Sequence, residues 1–390
     1  MAINNIPSGM RDRLFTECTL RRGIESRLRL LFGHYGYGEA ETPTIEYYST
    51  FLRAGNALAE ERMYKTGDID GRILVLRPDN TTPVARLYAT KLKNAPQPQR
   101  LFYVQKAFST GLAHRGDSSE ELQAGVELIG VGGLRADLEV LALAIRALEA
   151  SGVQNFHIEI GHAGLFRALA RELRGGDELE EEIRGLVERK NYAALGDVLA
   201  PYNGNSAAAA LKKLVGLFGG EEILPEARAL STSTEAQDCV SYLEKLLCEL
   251  KAAGYFKYVR FDMGLVHGID YYTGIVFRGY ADGAGEPVLN GGRYDGMLHS
   301  FGADEPATGW GLNIDALSSC LEAPAATQTE TLIHFESGSL GRALMLAESG
   351  ESSELSPCDS VEESVAIAKA KGIPTVIIVT ETGEKAIRVE

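Results

Sequence analysis

The chain has 390 residues, of which 45% are hydrophobic and 24% are charged, as is usual for a globular protein with room for more than one domain. Acidic residues outnumber basic ones by 54 to 39 and the formal net charge is -15, which disfavours a nucleic-acid partner. The five cysteines form no CxxC pair and no metal-ligand spacing, and no apolar stretch reaches the ~20 residues of a membrane span. We therefore expect a reduced cytoplasmic protein without a metal or cofactor.

The first 162 residues mix helical and extended patterns. Apolar residues at helical spacing predict a helix over 17–35, and 72–90 is typical of a strand, a turn and a helix. Two apolar runs around a polar loop, within 101–130, predict a long antiparallel hairpin. A helix over 135–152 and a strand over 155–162 follow. This irregular order predicts an antiparallel α+β sheet rather than a doubly wound parallel one.

The remainder of the chain changes pattern twice. From about 163 to 254 it carries helical patterns only, between two groups of strands, which predicts a helical insertion into one sheet domain. We assign this first domain to 1–320, a linker to 321–330, and a small C-terminal α/β domain to 331–390.

Polar side chains interrupt the apolar pattern at four places, and such interruptions are where sites are expected. They are Asp79 and Thr81; Gln123 and Glu127; His267, Asp270, Tyr271 and Tyr272; and a glycine pair before Arg293. Each alone has a structural explanation as a helix cap, a buried ion pair or a packed tyrosine. Together they predict a pocket rich in carboxylates and hydroxyls, suited to a small amino acid and lacking the guanidinium groups that clamp a triphosphate.

The order of the motifs carries a family resemblance. The chain contains IPSGMRD, YGYGEAETPTIE, LRPDNTTPVAR, FSTGLAHRGDSSEELQAGVE, VHGIDYYTG, GGRYDG and PATGWGLNID. Over roughly residues 1–320 this order resembles the catalytic domain of class II histidyl-tRNA synthetases. The resemblance implies a six-stranded antiparallel sheet flanked by helices, and a homodimer interface built by motif 1 around Pro43.

The chain departs from that family where ATP would bind. The family's motif 2 reads FRxER, whereas here Ser109 and Leu112 occupy the two arginine positions. The arginine before the family's GLDYY box is His267, and the motif 3 arginine is Ala316. Losing one such donor typically costs about 2.7 to 4 kcal/mol of transition-state stabilisation, so we expect no adenylation.

The amino-acid half of the site is retained by comparison with the family. Residues that hold histidine in the family correspond to Asp79 (a shorter stand-in for glutamate), Thr81, Gln123, Glu127, Tyr271 and Tyr272. A synthetase-like chain with a histidine pocket, no ATP arginines and a short tail resembles a non-catalytic branch of the family, the regulatory subunits of ATP phosphoribosyltransferase. That resemblance implies activation and histidine feedback of a short catalytic subunit, in a hetero-octamer of four plus four chains, at the first step of histidine biosynthesis.

Two alternatives remain open at this point. A divergent but active histidyl-tRNA synthetase would need replacement cations, for which Arg115 and Arg293 are the candidates. A pseudo-synthetase scaffold that binds no ligand would use the same polar residues for structure only. Pyrophosphate exchange tests the first alternative, and calorimetry with histidine tests the second.

Overall fold

A computed structural model describes residues 6–53, 62–110, 118–266, 272–323, 328–350 and 352–389. The chain forms two compact units, Met1–Glu322 and Ala323–Glu390. Within the described ranges, no helix is long and apolar enough to cross a membrane.

The first unit opens with a long helix that buries one face. Ile24, Leu28 and Phe32 recur every four residues and are fully buried, as expected where an amphipathic helix packs on a sheet. The elements up to the insertion are α1 (Phe15–His34), β1 (Gly38–Glu39), β2 (Ile45–Tyr47), α2 (Tyr48–Arg53), β3 (Lys65–Gly67), β4 (Ile73–Leu76), α3 (Thr81–Leu87), β5 (Gln99–Phe108), β6 (Glu120–Ile129), α4 (Leu134–Ser151) and β7 (Phe156–His162).

The block after β7 is helical with one exception. It comprises α5 (Ala163–Glu172), α6 (Asp177–Glu188), α7 (Tyr192–Val198), α8 (Ser206–Leu214), β8 (Phe218–Gly219), α9 (Leu224–Arg228) and α10 (Thr234–Ala252). The sequence predicts only helices between about 163 and 254, and this is wrong at Phe218, which pairs with Asp262 of a later strand. Gly216 and Gly219 explain the early end of the helix, since glycine is a poor helix former.

The strands that follow complete the large sheet. They are β9 (Val259–Asp262), β10 (Ile275–Ala281), β11 (Leu289–Arg293) and β12 (Ala307–Asn313), and α11 (Ile314–Ser319) comes next. The strand order is β1-β5-β6-β12-β11-β10-β7-β9-β8. The six strands from β5 to β7 in this order are antiparallel to their neighbours, so the predicted six-stranded antiparallel sheet is confirmed. Three short strands extend it: β1 beside β5, and β9 and β8 beside β7.

The large sheet has two different faces. Ala124, Val126 and Leu128 of β6 point into the main core, together with residues of α1 and α4. Because side chains alternate along a strand, Gln123 and Glu127 share the opposite face. The predicted site residues of β6 therefore lie on the face away from the main core.

Two smaller sheets complete the structure. Strands β2, β4 and β3 form an antiparallel sheet in the order β2-β4-β3. The second unit consists of β13 (Thr331–Phe335), α12 (Leu340–Ser349), β14 (Ser353–Leu355), α13 (Val361–Lys371), β15 (Thr375–Val379) and β16 (Glu384–Arg388). Its sheet order is β14-β13-β15-β16, with only β16 antiparallel to its neighbour.

Candidate functional site

Glu127 is the most unusual side chain on the open face of the sheet. Its carboxyl group is completely buried, and the hydroxyl of Tyr294 donates a hydrogen bond to Oε2. The other oxygen, Oε1, has no hydrogen-bond partner among the described residues. Burial raises the pKa of Glu127 to about 8, and the hydroxyls of Tyr294 and Thr81 oppose that rise. In the empty site the group is therefore mainly protonated at pH 7.

Glycines on the neighbouring strands make room for these side chains. A Cβ at Gly309 of β12 would overlap the Glu127 carboxylate, so only glycine lets that carboxylate lie flat on the sheet. A Cβ at Gly292 of β11 would approach the ring of Tyr272 to within 2.6 Å. Glycine at these two positions therefore makes room for Glu127 and Tyr272 to pack directly against the sheet.

Thr81, Asp79 and Tyr103 surround Glu127. Thr81 is the first residue of α3, and its hydroxyl lies close enough to both Glu127 and the buried Tyr103 to lower the pKa of each. Burial raises the pKa of Tyr103 well above its usual value, and the charge of Glu127 adds to the rise, so the phenol stays protonated. The structure therefore brings Thr81 and Glu127 together as the sequence predicts.

Asp79 also caps helix α3, which is the structural role that the sequence allows for it. Its Oδ1 accepts a hydrogen bond from the Thr82 backbone nitrogen at 2.7 Å, and Oδ2 accepts one from the Thr82 hydroxyl at 3.1 Å. Its negative charge raises the pKa of both Glu127 and Tyr103, which places it beside the site. Asp79 thus combines a helix cap with a position beside Glu127.

Gln123 lies in a chain of amide and carboxyl groups. Its Oε1 accepts a hydrogen bond from Asn80 Nδ2 at 2.9 Å, and its Nε2 donates to Glu121. Two buried atoms beside it, Asn80 Oδ1 and Gln105 Nε2, have no hydrogen-bond partner in the described part of the chain. Buried polar atoms are seldom left unpaired, so atoms of this kind commonly mark a missing water or ligand.

Tyr272 is buried, and the insertion holds its backbone. Arg167 of α5 donates a hydrogen bond from Nη2 to the Tyr272 carbonyl at 2.7 Å. The charge of Tyr272 raises the pKa of Tyr103, which places the two phenols near one another. A cavity of about 410 Å³ lies on the insertion side of Tyr272, lined by Phe166 and Arg167 among others. Tyr271 and His267 lie outside the described residues.

Two site residues escaped the sequence reading. Tyr294 and Tyr103 both touch the Glu127 cluster, yet neither was singled out. Tyr294 could have been found, because it follows Gly292 by two positions in the GGRYDG box and so shares its face. The sequence analysis names Arg293 instead, whose side chain lies on the opposite face of the same strand.

Two of the four positions at which the sequence predicts lost ATP arginines, Ser109 and Ala316, lie within the described residues. Ser109 directly follows the hairpin strand β5, and its backbone nitrogen donates a hydrogen bond to the Ser119 carbonyl at 3.0 Å. Ala316 lines a cavity of about 360 Å³ that also contains Arg11 and Arg13. These two arginines form ion pairs with carboxylates, Arg13 with Asp315 at 3.1 Å and Arg11 with Glu17. Leu112 lies outside the described residues.

Arg293 is not available as a replacement cation. Its guanidinium is buried and paired with Asp137, with Nη2 2.7 Å from Oδ1 and Nε 3.2 Å from Oδ2. It also donates to Asp295 at 3.0 Å. Breaking a buried pair of this kind typically costs 3–5 kcal/mol, so Arg293 is held as a structural residue. Arg115, the other candidate, lies outside the described residues.

Comparison with known proteins gives consistent matches over the chain. The sequence model of the family described as histidyl-tRNA synthetase matches residues 9–317. An ATP phosphoribosyltransferase regulatory subunit of Clostridium acetobutylicum is 37% identical over 370 residues, 92% of this chain and 91% of that protein. A solved ATP phosphoribosyltransferase regulatory subunit/histidyl-tRNA synthetase from Bacillus halodurans C has a TM-score of 0.87 at 34% identity, covering 98% of this chain and 99% of the other. Histidyl-tRNA synthetase from Nostoc sp. PCC 7120, 18% identical with a TM-score of 0.77, covers 100% of this chain and 97% of its own and has the same fold.

Proposed function

Because the chain belongs to the histidyl-tRNA synthetase-like family of ATP phosphoribosyltransferase regulatory subunits, we propose that it binds histidine and regulates a short catalytic subunit of that enzyme. The regulation has two parts, activation of the catalytic chain and feedback inhibition by histidine. The role belongs to the first step of histidine biosynthesis, and the chain itself carries out no reaction.

The observation that carries the proposal is the buried carboxyl group of Glu127, one oxygen of which has no hydrogen-bond partner among the residues that the structure describes. A buried polar atom without a partner costs about 1–3 kcal/mol, which a ligand with a matching hydrogen-bond donor recovers. Imidazole supplies such a donor in either protonation state. Phenol hydroxyls from Tyr294 and Tyr103 lie beside the same carboxyl.

The surroundings of the former ATP positions support a non-catalytic role. Phosphoryl chemistry needs cations directed at the transferring group. Ala316 provides no cation, and the guanidinium groups of Arg13 and Arg293 form ion pairs with Asp315 and Asp137. The proposal therefore separates ligand binding, which the site favours, from adenylate formation, which it does not.

The proposed partners are a second copy of this chain and the catalytic subunit, in an assembly of four plus four chains. A dimer contact through motif 1 is supported by β2, an edge strand next to Pro43 in which Ile45 and Tyr47 are 48% and 42% exposed. Apolar side chains on an open edge strand are expected where another chain covers them. Nucleic acid is not a proposed partner, since residues 331–390 contain 10 acidic and 5 basic residues.

Titration calorimetry with histidine tests the proposal. Wild-type protein should bind one histidine per chain, and Glu127→Ala should bind about 10- to 150-fold more weakly, because a hydrogen bond to a charged group is worth roughly 1.5–3 kcal/mol. Glu120→Ala is the matched control, since Glu120 lies on the same strand but pairs with Lys106. In the complex, Glu127→Ala should abolish inhibition by histidine and leave activation intact. Absence of histidine binding by the wild type would refute the proposal, and equal loss of activation and inhibition would assign Glu127 a folding role.

A further inference from the structure

Gln105 lies on the open face of β5, directly opposite Gln123 of β6. Its side chain is 6% exposed, and its amide oxygen accepts three hydrogen bonds: from the Thr42 backbone nitrogen at 2.9 Å, from the Thr42 hydroxyl at 3.2 Å and from Arg77 Nη1 at 2.7 Å. Because all three of these groups are donors, the amide orientation is fixed, with the oxygen toward Thr42 and Arg77. The amide nitrogen, Nε2, therefore points away from Thr42 and Arg77.

The contacts of Arg77 show which side of β5 the amide oxygen faces. Arg77 Nε donates to the Lys106 carbonyl at 2.7 Å, and the Phe108 backbone nitrogen donates to the Arg77 carbonyl at 3.0 Å. Both groups lie on the outer edge of β5, away from β6. The amide nitrogen of Gln105 is therefore left on the side of Gln123, where it is buried and has no acceptor among the described residues.

Asn80 supplies the opposite chemistry at the same place. Its amide nitrogen donates to Gln123 Oε1 at 2.9 Å and lies 3.5 Å from the Gln105 carbonyl oxygen, which fixes its orientation as well. Its Oδ1 is consequently an acceptor, buried and without a donor in the described part of the structure. Side by side, the two amides offer one free donor and one free acceptor. An α-amino acid presents the complement, a carboxylate that accepts and an ammonium that donates.

We propose that Gln105 and Asn80 recognise the zwitterionic end of the amino-acid ligand, Gln105 Nε2 binding its carboxylate and Asn80 Oδ1 its ammonium group. This rests on the proposed histidine site, whose other end is Glu127. The two amides are neutral, and the nearby guanidinium of Arg77 is engaged with the Gln105 oxygen and the carbonyls of Thr42 and Lys106. The ligand then spans the open face, with its imidazole at Glu127 and its α-carbon beside Gln123.

The test compares two ligands, histidine and histamine, which is the same molecule without its carboxylate. Gln105→Glu keeps an oxygen for Thr42 and Arg77 but replaces the free donor by a second acceptor, which opposes a carboxylate. Histidine affinity should fall about 10- to 150-fold, the range of a lost hydrogen bond to a charged group, while histamine affinity should change by less than about 3-fold. Gln99→Glu, the same substitution six residues earlier on β5, is the matched control and should leave both affinities unchanged.

The outcomes separate cleanly. Selective loss of histidine affinity supports the assignment. Equal losses of histidine and histamine affinity would show that Gln105 has a structural role only and would overturn the assignment. Unchanged affinity for both ligands would also overturn it. If the wild-type chain binds neither compound, the proposed histidine site itself fails, which is a different result from a failure of Gln105 alone. Gln105→Met, uncharged and similar in length, replaces the first variant if the buried acid prevents folding, and the same selective loss is expected.

Discussion

The protonation of Glu127 leads us to expect that histidine affinity depends on pH with a maximum between about pH 6.5 and 8. The complex of carboxyl and imidazole is neutral, and therefore best suited to a buried site, when the pair holds one proton. Below about pH 6.5 free histidine already carries an imidazolium proton and the empty site carries one on Glu127, so binding must release a proton. Above about pH 8, the pKa of Glu127 in the empty site, neither partner holds a proton, so binding must take one up.

The size of the effect follows from this proton count. One proton released or taken up changes the binding constant tenfold per pH unit, so the affinity at pH 5.5 and at pH 9 should be about tenfold below the maximum. On the alkaline side the decline continues until the complex itself loses its proton.

Calorimetry in buffers of different ionisation enthalpy measures the proton count directly. At pH 9 the wild type should take up close to one proton more per histidine bound than Glu127→Gln, which cannot titrate at this position, because any proton taken up by the ligand's amino group is common to both proteins. The variant should keep the fall in histidine affinity below about pH 6.5, because that fall arises from protonation of the ligand's imidazole. An alkaline limb of equal slope in both proteins, or a wild-type affinity that does not change between pH 7 and 9, would refute the reasoning.

Four further outcomes are expected. The pKa of Glu127 is raised from 4.5 in the unfolded chain to about 8, so its contribution to the free energy of unfolding is complete below pH 4.5 and is lost as pH rises through 8. The loss is roughly 5 kcal/mol in all. Denaturant unfolding at pH 5 and 9 should show this loss of stability in the wild type and not in Glu127→Gln. Gly309→Ala should displace Glu127 and weaken histidine binding at least about tenfold in calorimetry. Gly311→Ala should weaken binding much less, because its added Cβ meets only Tyr103 Oη at 3.3 Å and Gln123 Oε1 at 4.0 Å. Similar losses in the two variants would argue against a special role of Gly309 in making room for Glu127. The isolated chain should give no histidine-dependent pyrophosphate exchange, and measurable exchange would restore the synthetase alternative. Histidine affinity of the complex should shift about 5- to 150-fold when phosphoribosyl pyrophosphate is present, because coupling between sites is reciprocal, and identical affinities would show that the two sites are not coupled.

The sheet and the position of Gln123 and Glu127 could be predicted because both depend on local pattern. Alternation along β6 places the two side chains on one face, and the hairpin signal pairs β5 with β6. The six-stranded sheet, by contrast, came from the order of motifs and the resemblance it carries, since β12 pairs with β6 across more than 170 residues of chain.

The partners of the site residues could not be read from the sequence. Tyr294 reaches Glu127 from 167 residues away, and Asp137 neutralises Arg293 from 156 residues away. Both pairs depend on which strand and helix become neighbours, which no short window specifies. Asp79 illustrates another limit: the same residue caps α3 and lies beside Glu127, so a structural and a functional reading of it are both compatible with one sequence.

The energetics of Glu127 suggest how binding and regulation are connected. A ligand changes the activity of a partner only by its difference in affinity for two arrangements of the complex, and such coupling energies are typically 1–3 kcal/mol. Satisfying one unpaired buried polar atom yields about the same amount, 1–3 kcal/mol. If one arrangement keeps Glu127 Oε1 buried and unpaired, as it is within the described ranges, and the other exposes it to water, histidine gains that energy in the first arrangement only. A single unsatisfied oxygen is therefore sufficient in magnitude to carry the proposed feedback inhibition, without any new charge.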